Sequence, residues 1–212
     1  MSALAGVRVL DLTNVLSGPF CTLHLALLGA EVVKVENPKA GDLARVLGNV
    51  PRYNKMLMGT SFLAQNANKK SLTLNLKVPE GREIFKKLVE RADVVVENFQ
   101  PGTLEAWGIG PEALAREHPD LIVTRASVYG QTGPYRHYAA DHLAISALGG
   151  WVYPFGETDR EPLQIGFPVM YHMAGIYGAI AILAAVRGRR ADGRGQHIDV
   201  SSQEACLNML SY

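Results

Sequence analysis

Val7-Arg8-Val9-Leu10-Asp11-Leu12 is a short β-rich run, Ser17-Gly18-Pro19 opens the segment after it, and Glu31-Val32-Val33-Lys34-Val35 repeats the first pattern. The apolar residues in between, as far as Leu28, recur with a helical period, and Pro19 in a first turn costs no hydrogen bond. Gly29 stops the helix. A strand, a helix and a strand by Glu36 make a β-α-β unit, whose crossover is right-handed. A parallel sheet has begun.

The rest of the chain extends it. Ser71 to Leu76 reads as a strand and Pro79 to Ala92 as a helix with Ile84, Phe85, Leu88, Val89 and Ala92 on one face, with Glu83 and Lys87 as an i,i+4 pair. Val94-Val95-Val96 and Leu121-Ile122-Val123 are buried strands, separated by short helical segments at Thr103 to Trp107 and Pro111 to Glu117. Helical patterns follow at Asp141 to Leu148 and Met173 to Arg187, then a strand at His197 to Val200 and a helix at Gln203 to Leu210. This alternation predicts an α/β fold: a Rossmann-like, mostly parallel sheet with helices on both faces. Residues 38–68, with Gly41, Gly48, Pro51 and Gly59, read as an excursion over the sheet and not as a second domain.

Composition sets the outer bounds. The 212 residues are 48% hydrophobic and 19% charged, ordinary for one globular domain. Lys and Arg number 21 against 20 Asp and Glu, and a net charge of +1 gives no field that argues for nucleic acid or an anionic membrane. The two cysteines, Cys21 and Cys206, have no metal-ligand spacing, so no metal is expected, and with no signal-peptide layout the expected compartment is the cytoplasm. The most apolar stretch, Met173 to Val186, would span about 21 Å as a helix, short of roughly 30 Å of hydrocarbon. It reads as a core helix.

Motif chemistry narrows little further. Glu36 ends a strand where a carboxylate holds ribose in nicotinamide enzymes, but the first strand-to-helix turn offers only Gly18 and the GxGxxG fingerprint is absent. Walker A, HExxH and GxSxG sequences are absent too. Lys69, Lys70 and Lys77 form one basic cluster and Arg187, Arg189, Arg190 and Arg194 another, each a phosphate site or a solvated face. His172, at the start of the apolar helix, reads as a capped or surface imidazole, and Trp151, Tyr171 and Tyr177 as packing.

Eight segments in register nevertheless carry a resemblance: Leu4 to Leu12, Ser17-Gly18-Pro19, Leu28 to Glu36, Asn68 to Ser71, Pro79-Glu80-Gly81, Ala92 to Phe99, Gly130 to Tyr135 and Gly193 to Val200. In that order they resemble the family III CoA transferases, the group that includes formyl-CoA and carnitine-CoA transferases. The resemblance implies coenzyme A or its acyl thioester as ligand, with a carboxylic acid as second substrate. It implies Val15 and Asn37 beside the adenine, Leu74, Lys77, Asn98 and Phe99 along the CoA path, and Arg136 at the phosphates. It implies an interlocked homo- or hetero-oligomer. Residues 1–212 then correspond to the N-terminal portion of the CoA-binding large domain, with the small domain and the C-terminal return segment absent.

Members of that family carry CoA on an aspartate, through a mixed anhydride and then an enzyme thioester. That aspartate stands five residues after the glycine of a Gly-x-Pro turn and four before another glycine. Gly166-Phe167-Pro168 and Gly175 keep the frame here, but the position holds Tyr171, a phenol with an ordinary pKa near 10. Leu16 and Ala106 depart from the family at two further ligand-facing positions. The resemblance therefore points to a CoA-binding chain without its own nucleophile, paired with a related aspartate-bearing subunit. Two alternatives stand beside it: a non-catalytic CoA-binding or scaffolding relative, and a divergent racemase-like acyl-CoA enzyme using Asp141 or Glu157.

Overall fold

The computed structural model describes residues 2–210. Along the chain, β1 is Arg8–Asp11, α1 Ser17–Leu27 and β2 Glu31–Glu36; a 3-10 turn at Leu43–Val46 leads to α2, Pro51–Lys55, and α3, Thr60–Gln65. Then come β3 Lys69–Thr73, α4 Pro79–Val89, β4 Val94–Glu97, α5 Thr103–Ala106, α6 Pro111–Glu117 and β5 Ile122–Ser127. The described part ends with α7 His142–Leu148, α8 Val169–Asp192, β6 His197–Ser201 and α9 Ser202–Leu207.

All neighbouring strands pair parallel, in the order β3-β2-β1-β4-β5-β6. Successive side chains of a strand face opposite ways, so each valine run feeds two cores. Val9, Val94, Val96 and Ile122 pack on one face with Leu25 of α1 and Ile182 and Val186 of α8. Leu10, Val95 and Val123 pack on the other with Phe85 and Val89 of α4, Leu104 and Leu114. The α/β fold with a parallel sheet covered on both faces is as expected. Because β1 lies beside β4, the chain builds outward in two directions from that pair, and a crevice opens between them at the carboxyl ends of the strands.

Several boundaries differ from the sequence reading. The third strand is Lys69–Thr73 instead of Ser71 to Leu76, and it carries Lys69 inward. On α4, Ile84 is 49% exposed, Ala92 lies beyond the last turn, and Lys86, not Lys87, pairs with Glu83 at 3.2 Å. The long apolar helix runs for 24 residues, from Val169 to Asp192, and its charged last turn is held down by Arg189, 2.7 Å from Asp93. By length and composition α8 is one helix able to cross a membrane, but Ala174, Ala179, Ile182 and Val186 on one face of it are buried against the sheet and α1. The 38–68 excursion is folded into the 3-10 turn, α2 and α3.

Small residues set how close α8 comes to α1. A Cβ on Gly175 would lie 2.6 Å from the Ser17 carbonyl oxygen, and one on Gly178 would lie 3.2 Å from the Cys21 sulfur. Backbone cannot yield to such an overlap as a flexible side chain does. Gly175→Ala should therefore destabilise the protein by about 1–3 kcal/mol, the usual cost of overpacking, read as a lower midpoint in urea denaturation.

Candidate functional site

The crevice between β1 and β4 is a cleft of about 540 Å³. Asn14 to Ser17 after β1, Asn98 to Pro101 after β4 and Ala126 to Val128 at the end of β5 line it, with Ser202 just beyond β6. Pro168 and Tyr171 at the start of α8 and Arg136 and Tyr138 from the loop between β5 and α7 complete the lining. Among the described residues of the lining, Arg136 is the one formal charge, and no carboxylate, imidazole or thiol is present. Both cysteines lie elsewhere and are unreactive at neutral pH: burial and the nearby Asp11 push Cys21 up to about 12, and burial pushes Cys206 up to about 11.

Five of the residues expected at a ligand thus meet in one place: Val15, Asn98, Phe99, Arg136 and Tyr171. Asn98 uses its amide as a strand uses its backbone, accepting from the Asn14 N–H and donating to the Asn14 carbonyl, each at 2.8 Å. Phe99 is fixed through its N–H, which donates to Glu97 at 2.6 Å, and its ring meets Trp107 edge-on at 5.5 Å. Arg136 is exposed and lightly held, its guanidinium donating to His137 at 3.0 Å and the Gly133 carbonyl at 3.3 Å. The phenol of Tyr171 is pushed up by burial and by Asp141 and Tyr129 nearby, so it is a neutral proton donor at neutral pH.

Four others lie outside the lining. Asn37 is exposed and accepts from the Lys39 and Ala40 amides, while Leu74 packs against the α4 core and Lys77 faces solvent. Asn37 follows β2 and Leu74 and Lys77 follow β3, so all three belong to the same carboxyl rim, one and two strands beyond β1. Asp141 caps α7 by accepting the Ala144 N–H at 3.0 Å. Glu36 is committed to Arg45, at 2.7 Å, and to Ser71, which leaves no free carboxylate for a ribose. His172 bonds the Pro168 carbonyl at 3.1 Å and packs its ring edge against Phe20.

Beneath the cleft lies a set of buried charges that the sequence reading did not assign. Asp11, the last residue of β1 and fully buried, accepts from Thr22 at 2.6 Å, from the Thr13 backbone at 2.9 Å, from the Thr13 hydroxyl and from Lys69 at 3.0 Å. Burial alone would raise this carboxyl, but Lys34, Lys69 and the two hydroxyls outweigh it and hold it at about 2. At the end of β4, Glu97 binds Arg125 at 2.5 Å, and Arg125 reaches Glu105 at 2.6 Å. The available signal was a charge set inside an apolar strand run, as in Val32-Val33-Lys34-Val35 and Ile122-Val123-Thr124-Arg125. Such a residue is buried only when it is paired.

Residues 4–212 match the family model described as CoA-transferase family III. Among curated proteins the chain is similar to the beta and alpha subunits of succinyl-CoA--L-malate CoA-transferase from Chloroflexus aurantiacus. The beta subunit is 42% identical over 95% of this chain and 49% of its own length, the alpha subunit 39% over 98% and 48%. Succinyl-CoA:glutarate CoA-transferase of Mus musculus is 42% identical over 100% of this chain and 48% of its own. The chain spans about half the length of the curated relatives it matches. A CaiB/BaiF family protein from Brucella suis has the same fold with a TM-score of 0.91 at 36% identity, over 99% of this chain and 56% of that one. A Mycobacterium tuberculosis protein gives 0.90 at 33%, over 99% and 57%.

The buried carboxylate at the end of β1 sets an acid limit. Asp11 holds its proton less tightly folded than unfolded, where its pKa is near 3.8, so protons favour the unfolded chain. Its contribution, about 2 kcal/mol, is complete above pH about 5 and is lost as the pH falls toward about 2, with Glu36 acting in the same direction. Urea titrations across that range should show stability falling with acid. Asp11→Asn should flatten that limb and cost about 3–5 kcal/mol at neutral pH by stranding Lys69.

Proposed function

Because this chain belongs to CoA-transferase family III, we propose that its cleft binds a coenzyme A thioester for CoA transfer between carboxylic acids, with an aspartate-bearing partner subunit supplying the nucleophile. The observation that carries the reading is the cleft's chemistry: a largely apolar chamber whose described lining has one guanidinium, no carboxylate that could carry CoA, and Tyr171 in its wall. Apolar walls suit an acyl chain and pantetheine, and Arg136 suits a phosphate. The long helices α1 and α8 both start at the cleft, through Leu16 and Ser17 and through Pro168, with no acidic residue in either first turn and no side-chain cap. Their positive ends favour an anion there.

Chemistry explains why a partner is needed. In the aspartate mechanism the carboxyl carbon is the atom that first carries the acyl oxygen and then carries CoA. A phenol has no carbonyl carbon, and Tyr171 is protonated, so it neither attacks the thioester nor holds CoA afterwards. It is instead suited to donate a hydrogen bond to the thioester oxygen. The relatives named as alpha and beta subunits support a pair of related chains. On this reading the acyl end lies by Tyr171 in the β1–β4 crevice, the exposed Arg136 meets a phosphate at its mouth, and the nucleotide runs on along the rim past Asn37, Leu74 and Lys77.

Two measurements test it. Arg136→Ala and Lys77→Ala should each weaken CoA binding about tenfold in calorimetry, the worth of one charge-assisted hydrogen bond, and unchanged affinity in both removes the ligand path. Tyr171→Asp, incubated with an acyl-CoA, should form a hydroxylamine-sensitive adduct visible by mass spectrometry that the unmodified chain does not form. CoA binding with no turnover beside any aspartate-bearing relative would favour a scaffolding role instead.

A further inference from the structure

Val15 sits in the cleft wall with φ at +68°, a conformation that a β-branched residue rarely adopts. Such a backbone persists only where its surroundings impose it. Here the imposing groups are a buried ion pair outside the cleft. Asp42 accepts the Val15 N–H at 3.0 Å through one oxygen and binds Lys34 at 2.8 Å through the other, and Lys34 donates to the Thr13 carbonyl at 2.7 Å. Neither side chain is more than 1% exposed. Asn98 grips the residue between, so the backbone from Thr13 to Val15 is held at every step from outside the loop.

We propose that Lys34 and Asp42 are positioning residues for the ligand, fixing the Asn14–Ser17 wall in its binding-competent shape without touching the cleft. The inference rests on the CoA reading of that cleft. A buried ion pair is a poor source of stability, since the attraction is largely spent on desolvation, whereas it specifies geometry well. Released, Val15 relaxes toward negative φ, the wall samples other shapes, and affinity falls by the fraction of time the competent shape is lost.

The double variant Lys34→Met/Asp42→Ser tests this. It removes both charges together, and serine still caps the 3-10 turn at Ala44 while being too short for Val15. The expected result is a cooperatively folded protein whose CoA affinity by calorimetry is at least tenfold weaker. Its Val15 amide should exchange with solvent at least tenfold faster than in the parent, with the β4 amides unchanged. Parent-like affinity in the folded variant overturns the proposal, as does unchanged Val15 exchange. If the parent chain itself fails to bind CoA, the ligand reading falls, and Val15 exchange alone decides whether the ion pair holds the wall. Should the double variant not fold, Val15→Asn and Val15→Thr keep the question open to measurement. Asparagine is at ease in the left-handed region and threonine is not, so the asparagine variant should unfold at higher urea, and equal midpoints refute the strain.

Discussion

The carboxylate of Asp11 is the charge on which the cleft is built. It ends β1 in a place without solvent, so every lone pair needs a partner, and those partners come from α1 through Thr22, from β3 through Lys69 and from its own turn through Thr13. One buried acid thereby ties three elements to the mouth of the crevice. The pattern repeats along the rim: β2 ends in Glu36, neutralised by Arg45, and β4 in Glu97, neutralised by Arg125. Three strands side by side finish in acids, and each has its own cation.

That arrangement reconciles two demands. The anionic ligand proposed for the carboxyl rim would require that no bare negative charge lie under it, and the inward cations would satisfy this without being spent on the ligand. It also accounts for why the cleft itself is nearly free of charge: the ionic work is done one layer below, where water does not screen it. The loops above are left to apolar groups, hydroxyls and amide donors.

What the sequence revealed follows the range of the interaction. The β1-α1-β2 unit was legible because valine alternation, a helical period and Gly29 all act within a few residues. Lys69 was not, because its partner lies 58 residues away, and a lysine beside Lys70 looks like surface until β3 is laid against β2. The end of α8 was read short for a similar reason, since Arg189 finds Asp93 only in three dimensions. At the cleft, Val15, Asn98, Phe99, Arg136 and Tyr171 were reached through motif resemblance, Ser17 and Pro168 were legible only as helix openings, and Ser127 and Ser202 had no local signal at all. They meet because β1 and β4 are neighbours, which is a property of strand order and not of any one segment. The frame from Gly166 to Gly175 located Tyr171, and its surroundings only reinforce the neutrality that a phenol already has at neutral pH.

The amide of Asn98 adds a dimension of time. Its nitrogen donates to one backbone oxygen while its own oxygen accepts a backbone proton, so its orientation is fully determined. Spontaneous hydrolysis of that side chain would turn the donor into a second oxygen facing the Asn14 carbonyl, and the seam joining the two lips would repel where it had attracted. Aged protein should then lose the shape of its crevice before it loses its fold.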